Sequence, residues 1–444
     1  MKQLVRRAVV LPAVVGAAAL FLAGGAILLP GHNAPAGSSV VDSSSAGSPA
    51  GSRDPLIAGL ERTQGRLRQE PGNADLWATL GSAYLQVGRI TADPTYYPKA
   101  QAAFARSLTL QAARNVAAMA GMGQLAAARH DFARALRWGH QALAVDAYST
   151  VAYGVVADAA TQLGDYPGAR AAIQRMLDLK PGVSSFTRGS YDLEIHGDVG
   201  AARAALNRAL VDSLSPADVA FCRYYLGELS FNSGDASDAA AQYAQGLRAD
   251  PSNTQLLAGR ARLEAIRGQR AAALADYTAV TERVPLPQYV LEFGDFLTSI
   301  GRAADAARQY ALLRTEQQLF ASNGVLDDLL SAEFDADHGN PAGALRHAEA
   351  EWSRRHSVLV ADALAWALHK NGRNSEALRL AAIANRLGWR NATFAYHRGM
   401  IESALGQRAA ARVDLTEALR INPNFSFLQA PIARRALASL TGQS

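Results

Sequence analysis

Three sets of residues in this 444-residue chain have types and spacings that could do chemistry. Nine histidines invite a metal-site reading. His338, His347 and His356 stand nine residues apart, which does not bring them to one helical face at ligand distance. The lone cysteine, Cys222, excludes a disulfide framework, a CxxC redox pair and a thiolate zinc site within one chain. It reads as a buried, inert thiol. Gly121-Met122-Gly123 followed by Ala126 matches a dinucleotide fingerprint in form, but no strand pattern precedes it and it falls inside a helical pattern. Phosphate loops, HExxH metal helices and GxSxG nucleophile elbows are absent from the sequence. The expectation is therefore a protein that is not an enzyme and needs no cofactor or metal.

Composition narrows the partners. The formal charge is +5, and Lys2, Arg6 and Arg7 supply three of those charges within residues 1–36, leaving about +2 for the rest. No basic stripe with interleaved aromatics is present, so nucleic acid is not an expected ligand. Apolar residues make up 49% of the chain, enough for a continuous core.

The elements that must position any site are helical and repeated. Ala392 to Phe425 shows a small/large rhythm: Gly399, Gly406, Ala411, Leu415, Ala418 and Pro423. It recurs in 150–183 (Gly164, Tyr166, Ala169, Ile173, Pro181) and in 220–253 (Leu226, Gly227, Gly234, Ala239, Tyr243, Pro251). Two antiparallel helices in 34 residues, small where they cross, give that rhythm. It resembles the tetratricopeptide repeat (TPR) family. The resemblance implies an all-α fold, an α-solenoid of about ten helix-turn-helix units forming a right-handed superhelix with capping helices.

Taken in order, residues 1–29 hold a basic start and then 22 residues, Ala8 to Leu29, without a charged or polar side chain. That length suits a transmembrane signal-anchor and favours it over a cleaved signal peptide, for which Ala34-Pro35-Ala36 is the candidate site. In both cases the body is placed outside the cytoplasmic membrane, in the bacterial cell envelope, and touches membrane only through this segment. Residues 30–53 are Ser/Gly/Ala/Pro-rich and cannot bury a core, so they read as a disordered linker. An N-capping helix is expected over 54–71, the TPR array over 74–425, and a C-capping helix and tail over 426–444. In the first unit an extra loop from Arg89 to Lys99 is expected to carry Tyr96 and Tyr97 between two prolines.

Several runs sharpen the resemblance, among them Asp337-His338-Gly339, Asp362 to Leu368, and Tyr396-His397-Arg398-Gly399. They are similar to a group of bacterial exported TPR proteins, which implies location and architecture and no chemistry. In the family, the second, fifth, ninth, twelfth and thirteenth positions of a unit line the concave face. Carried onto this sequence they give Phe221, Tyr224, Glu228, Phe231 and Asn232 in one unit. In the last three units they give Glu333, Asp337, Asp362, Trp366, His369, Tyr396 and Met400. Aromatic anchors beside carboxylates suit a protein or peptide partner with apolar and basic groups. Trp366, flanked by Asp337 and Asp362, is expected to stand open there. The sequence thus points to a non-enzymatic binding scaffold; the alternative is an accessory subunit of an envelope enzyme or transporter complex.

Overall fold

The computed structural model describes residues 55–442, and the expectations for residues 1–29 and 30–53 lie outside them. The described residues form twenty-two helices: ten pairs flanked by α1 (Pro55–Gln69) and α22 (Gln429–Thr441). The first helices of the pairs are α2 (Ala74–Thr91), α4 (Val116–Ala128), α6 (Thr150–Leu163), α8 (Val183–Ile195) and α10 (Pro216–Asn232). They continue with α12 (Thr254–Ile266), α14 (Pro287–Ser299), α16 (Asp328–Asp337), α18 (Val358–Lys370) and α20 (Ala392–Ala404). The second helices are α3 (Tyr96–Leu110), α5 (Phe132–Val145), α7 (Tyr166–Leu179), α9 (Val199–Val211) and α11 (Ala236–Ala249). They end with α13 (Arg270–Arg283), α15 (Ala303–Ser322), α17 (Pro341–Arg354), α19 (Asn374–Ala384) and α21 (Arg408–Ile421). Each first helix packs most heavily on the second helix of its own pair, and each pair on its successor, so the chain is an α-solenoid.

Local sequence sets the boundaries. Asn73, Asn115, Asp131, Ser149, Asp165 and Asp198 each accept a backbone N–H of the following turn, satisfying donors that a helix start leaves open. The small/large rhythm has a direct cause. The Phe104 ring of α3 lies against both Gly81 and Gly121, where an added Cβ would stand 2.6 and 2.2 Å from it. Tyr243 of α11 sits the same way between Gly227 and Gly259. One ring from a second helix thus fills the notch in its own first helix and in the next, and any side chain there would overpack the joint.

The expected loop at Arg89 to Lys99 is not a loop. α2 runs on to Thr91, Ala92 ends it with φ of 53°, and α3 begins at Tyr96. Only residues 92–95 remain between the helices. Pro98 falls in the first turn of α3, where a missing N–H costs nothing. Helical extension buries Tyr97 against Phe104 and Leu85 and sets the Tyr96 ring 6.0 Å from that of Tyr84, apolar contact that an open loop would forgo.

The solenoid also touches itself. The turns joining α4 to α5, α6 to α7 and α10 to α11 meet the chain at the starts of α16 and α18 and ahead of α22. The Leu326 N–H donates to the Arg129 carbonyl (3.0 Å), and the Val358 N–H donates to the Tyr166 hydroxyl (2.9 Å). The Asn422 side-chain amide donates to the Phe231 carbonyl (2.8 Å). Arg355, only 2% exposed, donates to Gln162 across this seam and to Glu351 on its own side, with its guanidinium 4.9 Å from the Phe132 ring. Trp389 stands edge-on to Tyr191 at 6.2 Å. Contact is therefore not confined to neighbouring units, as a simple stacked array would have it.

Candidate functional site

Successive first helices carry a ladder of paired polar groups between them. Glu228 of α10 accepts from the Tyr243 hydroxyl (2.5 Å) and pairs with Arg262 of α12 at 3.1 Å. Arg262 pairs in turn with Glu292 of α14 at 3.0 Å, and Glu292 also accepts from Tyr277. On the next rung Asp295 meets His338 of α16 (3.0 Å) and accepts from Tyr310 (2.9 Å). Burial opposes charging of His338, yet the hydrogen bond and charge of Asp295 hold its pKa above the usual histidine value. Glu228 and Arg262 stand one 34-residue repeat apart, whereas Arg262–Glu292 and Asp295–His338 join positions 30 and 43 residues apart.

The first residue cluster is integrated into this ladder. Phe231 is buried and carries the Arg262 guanidinium 4.7 Å from its ring. Phe221 and Tyr224 are half-buried, each packed edge-on to Tyr225. Beside them Arg188, Tyr191, Glu194, Phe221, Tyr225 and Glu228 help to line a gap of about 10 Å³, room for about one water molecule. Burial pushes the Glu194 carboxyl up to about 7, although hydrogen bonds from Asn232 and Trp389 offset part of that shift.

The second cluster converges, but not as an open surface. Trp366 is 4% exposed. Its Nε1–H donates to Asp337 (2.8 Å), and its indole is stacked between His397 at 4.1 Å and His369 at 4.9 Å. Lys370 lies 4.8 Å from the ring and 3.6 Å from Asp337. The expected open indole is corrected: α18 is enclosed by its own hairpin, by α16 and α20, and by the seam at its start, so the ring does core work. Tyr396 is 1% exposed in the same cluster. Asp362 is 5% exposed; its Oδ2 meets the His397 Nδ1 at 2.8 Å and its Oδ1 is buried with no hydrogen-bond partner. Glu333 is half-buried among these acids. Burial, and then the charges of Asp362, Asp327 and Asp337, push its carboxyl up to about 8.

The other chemistry-bearing residues have structural occupations. Gly121 and Gly123 lie inside α4, their open sides filled by Phe104 and Val155. His338, His347 and His356 pair separately with Asp295, with Asp328 and with the Trp352 ring. Among the described residues no group of three or more His, Cys, Asp or Glu side chains is placed to hold a metal ion. Cys222 is fully buried, and burial pushes its thiol up to about 11.

Sequence reasoning missed the segment after the last hairpin. The Phe425 ring lies 5.5 Å from Tyr396, and the Phe427 ring 5.5 Å from Phe296 of α14. Gln429 donates to Asp337 at 2.6 Å. The spacing Phe425, Phe427, Gln429 was the available signal, three side chains at intervals of two.

This architecture defines an α-solenoid of stacked helical hairpins. Its last pair, residues 392–425, matches the family model for the tetratricopeptide repeat, and the preceding nine pairs repeat that arrangement. No curated protein matches the chain. Among solved structures, a thermophilic TPR protein of Thermus thermophilus is 20% identical, covering 46% of this chain and 100% of its own, with a TM-score of 0.38. A tetratricopeptide repeat protein from Parabacteroides merdae ATCC 43184 is 18% identical over 58% of this chain and 98% of its own, with a TM-score of 0.35. Human IFIT1 is 13% identical over 82% of this chain and 86% of its own, with a TM-score of 0.44.

Proposed function

We propose that this chain is a non-enzymatic scaffold that holds a protein or peptide partner on the inner wall of its first helices. The reading rests on the ladder from Glu228 through Arg262 and Glu292 to Asp295 and His338. Its charged groups are spent on one another along the wall, a geometry that fixes a polar surface and leaves no nucleophile beside a free base. Tetratricopeptide proteins bind protein or peptide partners, and a rigid wall with aromatic groups between charged rungs suits that use.

We further propose that the scaffold works outside the cytoplasmic membrane, tethered by the apolar run of residues 8–29. That support comes from sequence: 22 residues suffice to span a bilayer core, and the basic start orients them. Among the described residues no helix is long and apolar enough to cross a membrane.

Two experiments test these readings. A photocrosslinker placed at position 224 should capture a polypeptide from intact cells; repeated capture of none, with good expression, overturns the scaffold. One stoichiometric enzyme in that adduct would turn the reading into an accessory subunit. An alkaline phosphatase fusion after Ser444 should be active, and a well-expressed inactive fusion removes export.

A further inference from the structure

Residues 422–428 leave the last hairpin without regular structure before α22 begins at Gln429. A segment that served only to cap the final unit would touch α20 and α21. This one reaches four first helices. Asn422 bonds the carbonyl of Phe231 on α10, Phe427 packs on Phe296 of α14, Gln429 donates to Asp337 of α16, and Phe425 packs on Tyr396 of α20. Gln429 is itself buried, with Nε2 also 3.3 Å from the His397 ring nitrogen. The wall therefore holds a length of polypeptide by ring-to-ring contact and by an amide-to-carboxylate hydrogen bond, the two interactions that give a peptide site its affinity and its register.

A second observation shows that this occupant leaves capacity unused. Asp362, linked to the strap's amide through His397, keeps Oδ1 buried and unpartnered, and Glu333 beside it faces the charges of Asp362, Asp327 and Asp337. A buried acceptor without a donor is costly, and a ligand supplying one more donor would relieve it. Phe425 and Phe427 remain partly exposed, so they are held less completely than core rings.

Building on the scaffold reading, we propose that Phe296, Asp337, Tyr396 and His397 form a peptide-binding site whose resident occupant is the chain's own strap, Phe425 to Gln429. A partner takes the site by displacing the strap with a segment of the same chemistry: two aromatic side chains two residues apart, then a side-chain amide. The strap sets a threshold, because any partner competes with a ligand tethered at high effective concentration.

The test uses the full chain and a labelled synthetic peptide spanning residues 422–430. The double variant F425S/F427S empties the aromatic positions of the strap. It should bind the peptide at least tenfold more tightly than the wild-type chain, and a peptide with Glu in place of Gln429 should lose that gain, since it sets a carboxylate against Asp337. Equal binding by wild type and variant, or equal binding of a scrambled peptide, overturns the proposal. Should the double variant unfold, the chain variant Q429E keeps both rings and carries the same test: faster hydrogen exchange confined to 422–430 with peptide binding gained supports the strap, and unchanged binding overturns it. The scaffold reading fails separately. A partner that crosslinks at position 224 equally in wild type and strap variants leaves the scaffold standing and removes the strap's role. Peptide binding without any cellular adduct does the reverse.

Discussion

α6 and α12 are first helices of units three and six, and both end in a glycine with positive φ, Gly164 at 86° and Gly268 at 75°. Their surroundings differ. A Cβ on Gly164 would stand 2.5 Å from the carbonyl oxygen of His356, on the far side of the seam, whereas nothing lies within 4 Å of Gly268. Gly197 and Gly234 repeat the first situation, against Gly388 and Ile421. Gly301, Gly339, Gly372 and Gly406 repeat the second. The same residue in the same turn thus answers two demands. Everywhere it supplies a left-handed backbone, and at the seam it also lets two backbones meet.

The largest effect should separate these cases. Gly164→Ala carries the left-handed strain and a backbone clash, and should cost about 3 kcal/mol of unfolding free energy. Gly268→Ala, carrying strain alone, should cost only about 1 kcal/mol. Denaturant titration of both variants reads the difference, and equal losses would break the comparison. Next in size is Asn422→Ala, which removes the donor reaching the Phe231 carbonyl across the seam while leaving it the Gly234 N–H, and should cost about 1 kcal/mol. Its hydrogen-exchange signature should appear at the end of α10, 191 residues away in sequence. Asn371→Ala is the control, since its amide bonds only Pro341 and Ala367 within adjacent units. Exchange should there quicken only locally.

The smallest effect is a pH slope. Glu194 has its pKa raised from 4.5 to about 7, so between those values the folded chain keeps a proton that the unfolded chain releases. The stability this group contributes at low pH is therefore lost as pH climbs from about 4.5 to about 7, and its own contribution is constant above. Glu194→Gln should lessen the slope by this group's share, a change on the order of 1–3 °C in the Tm difference between pH 5 and pH 8, while Glu333, raised to about 8, keeps a slope of the same sign. An unchanged slope would place the titration elsewhere.

The repeat was legible in the sequence because its cause is side-chain size. Gly81, Gly227 and Gly259 are small where Phe104 or Tyr243 must lie against them, and capping residues such as Asn73 and Ser149 mark helix starts. The seam was not legible, because part of it runs through backbone N–H groups at Leu326 and Val358, which carry no residue identity, and its side chains, such as Asn422 and Arg355, follow no spacing that points to partners about 190 residues away. Its glycines could not betray it either, since Gly268 and Gly372 have the same form without the same neighbour. One signal was present and misread. The run from Asp362 to Leu368 is buried on every side. A first helix with an open concave face would show a polar stripe there. Reading Trp366 as an exposed anchor ignored that stripe's absence. The strap lay hidden for a related reason: Phe425 ends the last repeat, and Phe427 and Gln429 follow it and obey none of its spacing.

The seam has a consequence for how such a protein can change by duplication. In an open solenoid a unit can be gained or lost anywhere, because only the two flanking joints need to re-form. Here unit two meets unit eight at Arg129 and Leu326, unit three meets nine at Gly164 and His356, and unit four meets ten at Gly197 and Gly388. Removing residues 254–287 would re-form the local joints and still put every glycine of the seam opposite the wrong loop. The repeat count of this chain is then a fixed dimension, as the circumference of a ring is, and its length variation should be confined to the ends.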